Sequence, residues 1–500
     1  MDQECSKVSS DSIQHSNSIL SKERPINIAR DSSILILSDG GVILFGLLGQ
    51  LLLTHSLLVE EYGFRVIIID LVAILSLITS FGAPDVISRD TKRAGKYARE
   101  FISRYIRFQY LIIFIVGFLG FVIAGTMEPE LLRLGGVLFL ASTFQNLCTN
   151  YRVVLRALGM ASTEGLVRML ERFLVTSGYG VIIYSGNAGL IEFAIAAAFG
   201  PFMAWIIARN ICGRVLLEIT REPSDDLNLS PKIRDVFNSS LPFVLTSGFL
   251  VLLYRIDKFV LVGYYSTEAV AVFNIGWLCY FAGNSVTQAI RSLALPDFGS
   301  VRGKEDLLVQ KLNNAMEVSE WFILPGLAIG GIVGISILPM IFPEEYFTGE
   351  LSVGGTPPTV FFSLLAAWGI GLVSAPIFGA VQSSMNPWNY TLSGIASVVI
   401  NLIFSIALVP RYGVIGASFS TVGASLGTLV VMLIIINKEI ELSDIVSKLV
   451  ANAALSILFS STLLALVEFQ FNPYLAVIGI LTVAVIAGWK PRKILDLGSS

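Results

Sequence analysis

Arg255, Asp257 and Lys258, all ionisable, crowd into four positions at the head of an apolar run, within YRIDKFVLVGYYSTEAVAVF from Tyr254 to Phe273. At membrane depth such a group costs on the order of 2.5 to 3.5 kcal/mol, so it calls for a function or a compensating partner. Arg255 and Lys258 could hold a phosphate oxygen or a sugar carboxylate through charge-assisted hydrogen bonds, and Asp257 could take a coupling cation or a proton. The competing reading is a self-compensated ion group that fixes helix ends near an interface. Asp39 and Asp70, each inside an apolar run, are further candidates for ion coupling, with a local pair as the alternative for Asp39. Asn274, Asn284 and Gln288 supply the donors and acceptors a sugar would need, as do Gln145, Asn146, Asn150 and Asn401, although hydrogen bonds between helices use the same groups. Arg168, Glu171 and Arg172 are expected to neutralise one another along a single helix face.

Several chemistries find no support. The four cysteines are scattered and only two histidines exist, so neither a disulfide framework nor a metal site is indicated. The nearest approach to a phosphate-binding loop, Gly299-Ser300-Val301-Arg302-Gly303-Lys304-Glu305, has the wrong spacing and lacks the hydroxyl. The sequence therefore predicts no cofactor, no ATP hydrolysis and no catalytic residues.

The elements that must position these residues are transmembrane helices. Of 500 residues, 54% are hydrophobic and only 14% charged, against about 25% charged in ordinary soluble domains. Apolar runs of roughly 18 to 25 residues recur from about Ser33 onward, each long enough to cross a ~30 Å hydrocarbon core. The reading is an all-α polytopic membrane protein with about 14 transmembrane helices. A disordered cytoplasmic tail (1–32) precedes six helices (33–211), a polar linker (212–237), six more helices (238–437), then a C-terminal pair with a cytoplasmic end (438–500). Basic residues are lopsided: Arg65, Arg133, Arg255, Lys258 and Arg411 fall on one side, leaving 29 of the 34 on the other. The positive-inside rule then puts both termini in the cytoplasm.

The two six-helix sets echo each other. Ala83-Pro84-Asp85 recurs as Leu295-Pro296-Asp297, and Gly189-Leu190 as Gly413-Val414, at similar places in each set. Six spans per set is an even number, so the lobes would be related by a pseudo-two-fold along the membrane normal. Gly326, Gly330 and Gly334, with Pro325 and Pro339 nearby, predict close helix packing and a bend.

The Tyr254–Phe273 stretch resembles the signature of the polysaccharide transporter family, in which an Asp, a basic residue and an apolar run lead to a Glu, a small residue and an aromatic. VPRYGVIGASFS at Val409–Ser420 is similar to that family's turn into the next span; VEEYGF at Val59–Phe64, FGAPDVISR at Phe81–Arg89 and LRALG at Leu155–Gly159 add to the likeness. The resemblance implies the repeat-unit flippase branch of the multidrug, oligosaccharidyl-lipid and polysaccharide exporter superfamily. Such proteins move an oligosaccharide linked to a polyprenyl (pyro)phosphate across the cytoplasmic membrane. Asp39 stands where the peptidoglycan-precursor branch would show arginines, which argues against that cargo.

The expected function is thus a flippase working by alternating access in the cell membrane, with two lobes rocking around a polar cavity while the prenyl tail stays in lipid. Its partners would be the lipid-linked oligosaccharide, membrane lipids, a coupling cation or proton, and a glycan polymerase or glycosyltransferases; nucleic acid is not among them. The alternatives are an ion-coupled multidrug exporter of the same superfamily and a membrane glycan polymerase or ligase. The external connections are short for an enzyme of that kind.

Overall fold

The computed structural model describes residues 28–84, 86–87, 91, 98–124, 129–219, 244–245, 248–249, 251–301, 305–348, 353–384, 387–437 and 443–486. The expected tail is outside these residues up to 27, as are positions 220–237 of the polar linker, Asp85 of the first echo, and positions 487–500.

Among the described residues the long elements are all helices. They are α1 (Ile28–Ser56), α2 (Val59–Ser80), α3 (Ala98–Ala124), α4 (Pro129–Ala157), α5 (Ala161–Tyr184) and α6 (Leu190–Ile219), then α7 (Ile256–Tyr264), α8 (Thr267–Ser300), α9 (Glu305–Ile332) and α10 (Pro357–Ser384). The helical run Pro387–Ile436 is interrupted at Gly413, whose backbone angles are φ 57° and ψ −131°. Its arms, α11 (387–412) and α12 (414–436), double back on each other: Gly427 lies against Ile400 and Gly423 against Phe404. The chain ends in α13 (Ser443–Glu468) and α14 (Tyr474–Ile486). Nine helical runs among the described residues, with α11 and α12 counted together, are long and apolar enough to cross a membrane. This is a multi-pass membrane protein.

Two compact units organise the chain. One takes residues up to 50 and from 75 to 243; the other takes 51–74 and everything from 244 onward. The division cuts across the first hairpin, so the end of α1 and most of α2 pack with the second unit, carrying Asp70 with them. Within the first unit α4 is central, packed on α3, α5 and α6.

Helix α10 is the hub of the second unit. It packs against α8, α9, the α11–α12 pair and α13, and 94% of its most apolar window is buried inside the protein. The small-residue stripe of α9 explains how these helices come so close: Gly326, Gly330 and Gly334 face Trp368, Leu365 and Phe362 of α10, with no room for a Cβ. A turn of π-helix follows at Val333–Ile337, just before Pro339. Proline lacks the donor that the carbonyl one turn back would take, and a widened turn accommodates that loss.

Candidate functional site

The site of the second unit begins at an interruption. Residues 251–253 are helical, Tyr254 and Arg255 form a turn, and α7 starts at Ile256. A break at this point frees backbone groups that lipid cannot satisfy, so other helices must supply partners. Asn401 of α11 does so, donating from Nδ2 to the Leu253 carbonyl at 3.1 Å.

On one side of the break lies a charge cluster. Arg255 pairs with Asp70 of α2, and Lys258 Nζ sits 3.2 Å from the other Asp70 oxygen, off the line of a hydrogen bond, so that contact is coulombic. Lys258 donates to Asn274 Oδ1 of α8 at 2.8 Å, and Asn274 donates in turn to the Tyr62 hydroxyl of α2 at 2.8 Å. The ammonium also lies 4.4 Å from the centroid of the Trp277 ring, close enough for a cation–π contact. Asp70 and Lys258 are each only 3% exposed at the side chain. Arg65 of α2, counted from sequence as an external span-end residue, is buried to the same degree.

On the other side, Asp257 faces polar groups of α11 and α12. Its carboxylate accepts from Ser405 Oγ at 2.6 Å, Thr421 Oγ1 at 2.8 Å and Asn401 Nδ2 at 3.3 Å. It also borders a cavity of about 210 Å³ enclosed by α8, α10, α11 and α12, with Tyr254 and Trp277 on the wall and Asn284, Gln288 and Arg291 further along α8. Asn284 donates to the Tyr254 hydroxyl at 3.4 Å. Trp277 stacks on Phe281, with centroids 4.9 Å apart and planes 16° apart. A largely apolar wall with flat aromatic faces and amide, hydroxyl and guanidinium groups at a few points matches the chemistry of a sugar ring, which is hydroxylated at its edges and apolar on its faces.

The structure thus sorts the candidates named from sequence. Arg255, Lys258, Asn274 and Asp70 belong to the compensated cluster, while Asp257, Asn284 and Gln288 line the cavity. Asp39 is in the first unit, half exposed and paired with Arg168 of α5. There the expected pairing within one helix face gives way to pairing between helices: Glu171 bonds Arg152 of α4 at 3.1 Å, and Glu164 bonds Arg156 at 3.0 Å. Asn146 and Asn150 of α4 serve as helix ties, to Ser76 and Thr79 and to Gln109. Sequence reasoning passed over Ser405 and Thr421. Ser393, Ser397, Asn401 and Ser405 recur every four residues in a helix that is otherwise apolar, and that spacing was the available signal.

Architecture and site together define the class: a multi-pass helical membrane fold with a cavity and buried ion pairs inside its second unit. Among solved structures, the chain shares its fold with the lipid II flippase MurJ in an inward closed conformation (15% identity, TM-score 0.62, covering 92% of this chain and 99% of that one). It shares it also with an outward-facing multidrug resistance MATE family transporter of the MOP superfamily (16% identity, TM-score 0.57, covering 84% of this chain and 96% of that one). By sequence it is similar to the probable flippase AglR of Haloferax volcanii, at 24% identity over 168 residues, which is 33% of this chain and 34% of that protein. The match therefore spans about a third of this relative's own length. No family model matches the chain.

Proposed function

We propose that this protein is a flippase that moves a polyprenyl-(pyro)phosphate-linked oligosaccharide across the cell membrane by alternating access. The observation that carries the reading is the cavity of the second unit, where a buried carboxylate, amides, an arginine and aromatic faces are assembled inside a helix bundle embedded in lipid. Moving a glycan through bare hydrocarbon would strip its hydroxyls of hydrogen bonds at several kcal/mol per group, on the order given by transfer measurements. The polar side chains on the cavity wall replace part of that lost hydration, and the prenyl tail needs none. Similarity to a probable flippase, and a fold shared with MurJ, support the same reading.

In this scheme Asn284, Gln288 and Arg291 engage the headgroup, and Asp257 is the coupling site for a cation or proton. Ser405 and Thr421 already place hydroxyl oxygens against that carboxylate, and hydroxyls can turn from donating to accepting when a cation arrives. Arg255 and Lys258 act chiefly by neutralising Asp70 and holding α2 and α8 beside the break. The protein makes and breaks no covalent bond. By the positive-inside rule both termini are cytoplasmic.

The test is transport by purified full-length protein in proteoliposomes, with appearance of a lipid-linked oligosaccharide at the outer face read by a membrane-impermeant glycosidase. Wild type should move the glycan, and Asp257→Asn should slow it at least tenfold while melting normally. Efflux of a cationic dye with no glycan movement would instead identify a drug exporter, the reading that the shared MATE fold keeps in view.

A further inference from the structure

A second cavity lies wholly within the first unit and takes no part in the transport scheme. It is a cleft of about 740 Å³ between α3, α4 and α6. Four arginines line it: Arg99 and Arg107 from α3, one above the other two turns apart, and Arg209 and Arg214 from α6. Tyr110 and Tyr151 stand among them, and Ser103 and Asn210 add neutral donors, while the lining contains no carboxylate. This differs from the contact between α4 and α5, where Arg152, Arg156 and Arg168 are each matched by an acid. Among the described residues, none of the four cleft arginines makes an ion pair with a carboxylate; the guanidinium carbon of Arg209 lies 5.6 Å from the Trp205 ring centroid.

Four arginines lining one cleft with no carboxylate in its wall fit a multiply charged oxyanion, and Arg is the side chain best shaped for phosphate. The surroundings say what carries that phosphate. Tyr110, on the cleft wall, begins the exposed face of α3, which continues through Leu111, Phe114, Ile115, Phe118 and Phe121, all between 42% and 70% exposed. In a membrane that face meets acyl chains. A ligand anchored in the cleft can therefore lay a hydrocarbon tail along α3 without leaving lipid, whereas a soluble anion gains nothing from it.

We propose that this cleft binds the phosphate headgroup of an anionic lipid, with its tail against the exposed face of α3. The inference does not depend on the transport reading. Two lipids share the chemistry: a polyprenyl diphosphate, which would make the cleft an entry station for carrier lipid, and an ordinary acidic phospholipid, which would make it a structural or regulatory site.

The experiment is equilibrium binding to detergent-solubilised full-length protein, using chain-labelled phosphatidylglycerol, phosphatidylcholine and a short polyprenyl diphosphate, with inorganic pyrophosphate as competitor. Both anionic lipids should bind at least tenfold more tightly than phosphatidylcholine, more weakly as salt rises, and pyrophosphate should compete poorly. The preferred anionic lipid identifies the source. Arg209→Gln with Arg214→Gln, and separately Arg99→Gln with Arg107→Gln, should each weaken binding at least tenfold, while Gly46→Ala in α1, where an added Cβ meets nothing within 4 Å, should not. Equal binding of phosphatidylcholine, full affinity in both double variants, or pyrophosphate competing as strongly as the lipids would overturn the proposal.

Discussion

At the residue scale, the decisive feature is that Asp70 serves two cations. Arg255 and Lys258 both contact it, and Lys258 and Asp70 are almost fully buried. Removing the shared anion strands two charges, whereas removing Arg255 leaves the Asp70–Lys258 contact in place. Breaking a buried pair from one side costs about 3 to 5 kcal/mol, because the remaining charge keeps its desolvation penalty. Asp70→Asn should therefore lower the melting temperature in detergent clearly more than Arg255→Gln does. Adding Lys258→Met to Asp70→Asn should recover part of the loss, since a neutral pair strands less charge. Equal melting of Asp70→Asn and wild type would show that the cluster does not hold these helices.

At the scale of elements, the site depends on how closely α2 approaches α8. Gly63 of α2 lies directly over the Thr267 carbonyl of α8, so a Cβ there meets backbone that cannot rotate aside. Tyr62, next to it, carries the hydrogen bond to Asn274, and Asp70 follows two turns later. Gly63→Ala should push the helices apart, cost about 1 to 3 kcal/mol as overpacked contacts do, and reduce transport together with stability. Gly46→Ala in α1, where a Cβ meets nothing within 4 Å, is the matched control and should leave melting unchanged.

The same scale shows what the sequence made legible and what it did not. The α9 glycine stripe could be read because a spacing of four places small residues on one face, and that face is the one α10 covers. The charges near residue 255 stood out because an apolar run has nothing else to hide them. Their partner could not be read: Asp70 lies 185 positions away along the chain, in a helix whose local pattern says only that it spans a membrane. The burial of Arg65 could not be read for a related reason, since nearness to a span end says nothing about which face of the helix a neighbour covers. Ser405 and Thr421 are ordinary residues of apolar helices until Asp257 is set between them.

At the scale of the molecule, the second unit couples three things that the transport reading needs. It has a broken helix whose freed carbonyl is satisfied by Asn401, a carboxylate ringed by hydroxyl and amide groups, and a cavity lined for hydrogen bonding. A coupling ion bound at Asp257 would alter the contacts of α11 and α12 with α7, so occupancy of the ion site and shape of the cavity would be linked.

The central claim is that the glycan headgroup occupies this cavity, and substrate protection of Gln288 tests it most directly. In a variant whose native cysteines are replaced, Gln288→Cys is labelled by a hydrophilic thiol reagent with and without ligand. The account predicts that a lipid-linked oligosaccharide slows labelling at least fivefold and that the same polyprenyl diphosphate without its sugars does not. Labelling at one rate under all three conditions would contradict it.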